Sequence, residues 1–164
     1  MSQSGTNSAL GIPTQRFMAI SGGQIGVGAA PVDVVWSTAG APGSFSRNFP
    51  ALEGAGTTFV LSPNVLWLLE AFVNASNFSD AVNGTCIAVW VDQANVSLNA
   101  ANQGVQMVSI GTVGIDPDVN PTARLVRLLI RPTAEQRVKL RLDAFTGTLD
   151  IASLNSWVSV QPLI

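Results

Sequence analysis

From Phe17 onward, short apolar segments alternate with clusters of Gly, Pro, Asn and Asp. The clearest is Arg137-Val138-Lys139-Leu140-Arg141-Leu142-Asp143, where charged and apolar residues alternate strictly. A period of two puts one set of side chains on a buried face and the other in water, so this segment predicts a half-buried strand. Leu125-Val126-Arg127-Leu128-Leu129-Ile130 is less polar and fits a strand covered on both faces. Val65-Leu66-Trp67-Leu68-Leu69-Glu70-Ala71-Phe72 follows Pro63 and matches neither a helical period nor strict alternation; it is read as a strand, with a buried helix as the alternative.

The same reasoning gives strands at Arg16–Ile20, Val32–Ser37, Thr57–Leu61, Val65–Val73, Thr85–Gln93, Gln106–Val113, Ala123–Arg131, Arg137–Ala144 and Ser156–Leu163. Turn chemistry separates them: Ala41-Pro42-Gly43, Asn83-Gly84, Asp116-Pro117 and Asn120-Pro121. Eight or nine strands without a convincing helix predict an all-β sandwich or barrel. Residues 1–15 are polar, Gly/Ser-rich and nearly uncharged, as expected of a flexible N-terminal arm, which leaves 16–164 as one domain.

Composition sharpens this picture. The chain has 164 residues, of which 47% are hydrophobic and only 11% charged, against about 25% charged in an ordinary soluble domain. No apolar run reaches the ~18 residues a membrane-spanning helix needs. A domain with so few charges is expected to have part of its surface covered by partners. The net charge of −2 divides unevenly, with residues 1–123 at −5 and residues 124–164 at +3. The bases of the second part are expected on the polar faces of strands, and no aromatic lies among them before Phe145 to stack nucleic-acid bases. No nucleic-acid or membrane partner is therefore expected.

Cys86, the single cysteine, is expected as a small buried hydrophobe. The segment Met1–Asn7 lacks the basic and apolar regions of a signal peptide, so synthesis in a cytoplasm is expected. The sequons at Asn74, Asn77, Asn83 and Asn95 are then read as turn chemistry.

The chain contains no histidine, which removes Ser–His and Cys–His nucleophilic pairs and histidine-containing zinc sites. The glycines of Gly22-Gly23-Gln24-Ile25-Gly26-Val27-Gly28 miss phosphate-loop spacing, have no following Lys and meet Pro31; a flexible loop or bulged edge is expected instead. Asp116-Pro117-Asp118-Val119-Asn120 begins like a calcium loop, but Pro121 and Arg127 occupy the positions that require Gly and Glu. No catalytic residue, metal site or cofactor is assigned.

The order of segments resembles the jelly-roll module of the tumour-necrosis-factor and C1q-like families. The match is carried by Gly56-Thr57-Thr58-Phe59-Val60-Leu61-Ser62-Pro63-Asn64-Val65-Leu66-Trp67, similar to that family's strand, tight turn and strand. Trp67 takes the place of a tyrosine, and Val65 stands where the family usually has Gly. Leu149-Asp150-Ile151 and Ser156–Leu163 resemble its final strand, which runs through the centre of a trimer. The resemblance implies an antiparallel jelly-roll β-sandwich of about eight strands that forms a homotrimer.

The uncharged, His-free, Asn/Ser/Gly-rich β chain also looks like a bacteriophage virion protein. The reading is a non-enzymatic capsid decoration (cement) protein at the capsid surface, with the major capsid protein as partner. Trp67, Leu69, Trp157, Val158 and Val160 are the candidate self-association residues, and Arg124, Arg127 and Arg131 the candidate capsid contacts. The same apolar residues would serve equally as intramolecular core. A receptor- or carbohydrate-binding tip of a phage fibre or spike is the alternative. Trp36, or Trp90 with Asp92, would then stack a sugar among the Asn-rich loops at 74–83 and 95–102.

Overall fold

In the computed structural model the alternating segment is a strand, and the rest of the fold is built around it. The structure describes residues 15–19, 24–28, 31–37, 51–76, 85–98, 105–108, 122–143, 148–151 and 156–163. The strands are β1 (Gln15–Ala19), β2 (Gln24–Gly28), β3 (Val32–Asp33), β4 (Trp36–Ser37), β5 (Ala51–Glu53), β6 (Thr58–Leu61), β7 (Trp67–Ser76), β8 (Thr85–Asp92), β9 (Val105–Val108), β10 (Thr122–Ile130), β11 (Gln136–Asp143), β12 (Thr148–Ile151) and β13 (Trp157–Pro162). No α-helix occurs among the described residues, and Val65–Phe72 lies largely in β7.

Two antiparallel sheets result. The first runs β4-β1-β13-β7-β10, with β12 pairing the end of β7 and β2 beyond it; the second runs β5-β6-β11-β8-β9, with β3 beside the end of β11. From β6 to β12 the chain changes sheets at every connection except the β8–β9 hairpin, which is the wrapping of a jelly roll. The fold is an all-β sandwich, as expected.

Alternation sets the core. In β11, Val138, Leu140 and Leu142 are fully buried, while Arg137, Lys139 and Arg141 face the other way. Opposite them lie Trp67, Leu69, Ala71 and Val73 of β7, Val126 and Leu128 of β10, and Val158 and Val160 of β13. A hydrogen bond crosses between the sheets: the buried Trp90 indole N–H donates to the Val126 carbonyl at 3.3 Å. This satisfies the ring's polar atom where water is excluded.

The loop joining the sheets at 62–66 is held from three sides. Trp67 Nε1 donates to the Ser62 carbonyl at 3.1 Å, the Asn64 amide to that of Pro132 at 2.8 Å, and the Leu163 amide to that of Leu66 at 2.7 Å. Asn64 adopts a φ of 63°, a left-handed conformation Asn tolerates better than most residues.

Several elements differ from the expected boundaries. Val32–Ser37 divides into β3 and β4, because β3 pairs with β11 in the second sheet, a ladder the Val34 amide extends by donating to the Leu140 carbonyl at 2.9 Å, while β4 pairs with β1 in the first. The glycine-rich stretch contains β2, which pairs with β12 through a register shift between Leu149 and Ile151; this is the bulged edge. Gln15, placed in the arm by composition, already pairs with Val160. The rest of that arm, most of Gln106–Val113 and the Asp116–Asn120 turn lie outside the described residues.

Gly56 is fixed by close approach. Its φ is +94°, and a Cβ there would sit 2.4 Å from the Trp36 carbonyl oxygen. We expect Gly56→Ala to cost about 2 kcal/mol or more, lowering the melting temperature by roughly 4–8 °C in calorimetry. An unchanged melting temperature would remove the assigned contact.

Candidate functional site: the outward face of the first sheet

The two sheets present different outward faces. On the second sheet the cations of β11 are already matched. Arg137 donates to Glu53 at 3.2 Å and to Glu135 at 2.8 Å, Lys139 to Asp33 at 2.7 Å, and Arg141 to Asp143 at 3.0 Å. The hydrogen bond and charge of Glu53, reinforced by Glu135, hold the Arg137 guanidinium above its ordinary value. Beside this pair, Glu53, Gly54, Thr58, Gln93, Arg137 and Lys139 line an open depression of about 200 Å³. The basic C-terminal stretch thus supplies polar-face residues balanced in place by acids from β3, β5 and β11. Among the described residues, no three His, Cys, Asp or Glu side chains cluster to hold a metal ion.

The outward face of the first sheet carries an apolar patch among polar and charged positions. Cross-strand register lays Leu125, Phe72 and Trp157 in one row, Arg127, Glu70 and Ser159 in the next, and Leu129, Leu68 and Gln161 in a third. Phe72 and Trp157 stack with centroids 6.0 Å apart and planes inclined by 13°. Leu129 is 60% exposed, one of the two most exposed large hydrophobics among the described residues. The middle row carries the face's described ion pair, Arg127 Nε to Glu70 Oε1 at 2.7 Å.

This geometry redistributes the sequence candidates. Trp67, Leu69, Val158 and Val160 are each 0% exposed and sit between the two sheets of one chain. They form the protomer's own core and offer no surface to a partner. Trp157 alone of the five lies on the outward face, half-buried against Phe72. The outward-facing residues are instead the neighbours of the buried ones: Leu68 and Phe72 on β7, and Leu125 and Leu129 on β10. In a run apolar at nearly every position, the alternation that would have separated the two sets is hidden. The clue available was Glu70, whose charge marks the wet parity of β7 and so implicates Leu68 and Phe72.

The candidate capsid cations are also dispersed. Arg127 is engaged with Glu70, Arg131 is exposed in the β10–β11 turn, and Arg124 pairs through its backbone with Val73 near the start of β10. Trp36 and Trp90 are 2% and 0% exposed, which leaves no ring face for a sugar. Asp92 instead organises its own turn, its Oδ1 accepting the Val96 amide at 2.8 Å, with Asn95 at a φ of 65°. That is the expected turn chemistry for the Asn95 sequon.

No protein-family model matches the chain, and no curated protein matches it in sequence. Among solved structures it is similar to the Eiger TNF of S. frugiperda, at 15% identity over 92% of both chains, with a TM-score of 0.61. It is also similar to murine APRIL, at 8% identity over 92% of this chain and 98% of that one, with a TM-score of 0.52. At these identities the likeness is one of fold: the chain has a TNF-like jelly-roll fold.

Proposed function

We propose that this chain is a non-enzymatic structural protein of a virus particle, a decoration protein that stabilises a phage head as a homotrimer. The observation that carries the self-association reading is the apolar outward face formed by Leu68, Phe72, Leu125, Leu129 and Trp157. A face of this kind exposed to water is unfavourable, and covering it with another protomer removes apolar area at about 25 cal/mol per Å². The TNF-like fold and a chain only 11% charged support the same reading.

The virion context rests on composition: few charges, no histidine, and loops rich in Asn, Ser and Gly. In this proposal the segment Met1–Thr14 contacts neighbouring capsid subunits, and exposed Arg131 meets acidic surface of the major capsid protein. The protein acts at the capsid surface after synthesis in the host cytoplasm. The fibre-tip alternative loses its two aromatic platforms, since Trp36 and Trp90 are enclosed.

The test is co-sedimentation with phage shells assembled without the protein. Saturable binding at a fixed ratio to capsid subunits, with a rise in the shell's melting temperature, is the expected result. Binding to a glycan array with no affinity for shells would overturn the proposal in favour of the fibre tip.

A further inference from the structure

Cross-strand register builds a concave site on the outward face of the second sheet. Glu53 of β5, Thr58 of β6 and Lys139 of β11 lie in one row. Neighbouring strands are ~4.8 Å apart, so the two long charged side chains rise about 10 Å from each other. Only the short Thr58 stands between them and forms the floor. Gly54, at a φ of +60°, keeps one end of the row open, since a Cβ there would lie 3.1 Å from the Thr58 hydroxyl. Arg137, two residues along β11, and Gln93, just past β8, complete a wall around about 200 Å³.

The polar groups of this wall are held in place without being used up. Arg137 Nε donates to Glu53 Oε2, Arg137 Nη1 to Glu135, and Lys139 Nζ to Asp33. Among the described residues, these bonds leave Glu53 Oε1, Arg137 Nη2 and the further N–H groups of Lys139 available. The Thr58 hydroxyl meets only that of Thr57, at 3.2 Å, and the exposed Gln93 amide group makes no described side-chain bond.

Charge and size set the class of ligand. Both cations of the wall already face carboxylates, and Glu53, Glu135 and Asp33 outnumber Arg137 and Lys139. An entering anion would meet the Glu53 carboxylate, and an entering cation would meet the guanidinium and the ammonium. A neutral hydroxyl group suits every part of the wall, because it donates to Glu53 and accepts from Arg137, Lys139 and Gln93. Several hydroxyls on one ring reach several of these partners together. The volume is below the about 300–1,000 Å³ of a pocket for a drug-sized ligand, which limits the occupant to a single small ring.

We infer that this depression binds one neutral sugar ring, free or at the end of a glycan. The site goes beyond the proposed structural role and does not depend on it, since it lies on the sheet away from the apolar patch. It is also separate from Trp36 and Trp90, which are enclosed. The ion pairs fix Glu53, Arg137 and Lys139 before the ligand arrives, so binding has little ordering to impose. A few neutral hydrogen bonds with no aromatic platform give a dissociation constant in the millimolar range.

The test follows the amide NMR spectrum of the full chain during titration with D-glucose, D-galactose and D-mannose, with their methyl glycosides, and separately with inorganic phosphate. Saturable shifts at Gly54, Thr58 and Gln93 are expected with at least one of the sugars and not with phosphate. Shifts with a glycoside as well as the free sugar support a ring at a glycan end, and shifts with the free sugar alone support a free ligand. Gln93→Ala, in an exposed turn, and Thr58→Val, which removes a hydroxyl while keeping the side chain's shape, should each weaken binding roughly threefold to tenfold. The remainder of their spectra should match the wild type. Absence of saturable shifts at these amides, shifts with phosphate in place of sugar, or undiminished binding by both variants would overturn the inference. None of these readouts depends on self-association or on binding to shells.

Discussion

Strand β7 is hydrogen-bonded along both edges, to β10 from Trp67 to Ala75 and to β13 from Trp67 to Phe72, and its parity cannot change without displacing both neighbours. A one-residue slip would bring Glu70 into the core and expel Trp67, whose indole N–H fixes the loop at 62–66. The register therefore commits Trp67, Leu69, Ala71 and Val73 inward and Leu68, Glu70 and Phe72 outward. The core, the loop joining the two sheets and the composition of the outer face all follow from that choice.

The consequence is a molecule with two unlike outer faces. On the second sheet, β11 meets solvent with a row of cations, each neutralised by a nearby carboxylate. Such a face is at ease in water and has little reason to be covered. On the first sheet, two of the three rows are dominated by leucine and aromatic side chains. In the proposed function, assembly through that patch would cover the apolar side chains that the low-charge composition leaves at the surface.

How far the sequence could be read depended on contrast between neighbouring positions. In β11, charge and aliphatic residues alternate, and both the strand and its buried face were legible. In β7 and β13 the existence of strands was legible, but apolar residues occupy both parities, and Trp67, Leu69, Val158 and Val160 were indistinguishable from surface candidates until the register was known. Trp36 and Trp90 show the same ambiguity, since an aromatic beside Asp or Ser reads as a site or as core with equal ease. Short elements such as β5 and β12 are stabilised by pairing with β6, β2 and β7, and carry little local signal of their own. The pairing of Arg127 with Glu70 spans 57 positions and is a product of topology alone.

The most direct measurement is the solution mass of the full chain by light scattering over a concentration series, beside the variant Leu129→Lys. Burial of the first sheet's outward face between protomers predicts a stable species near three times 17.1 kDa for the wild type. The variant, with a charge at the exposed hydrophobic residue of that face and the core untouched, should have the mass of a single chain. A wild type that stays at 17.1 kDa at every concentration would contradict the account. So would a Leu129→Lys variant that assembles as the wild type does.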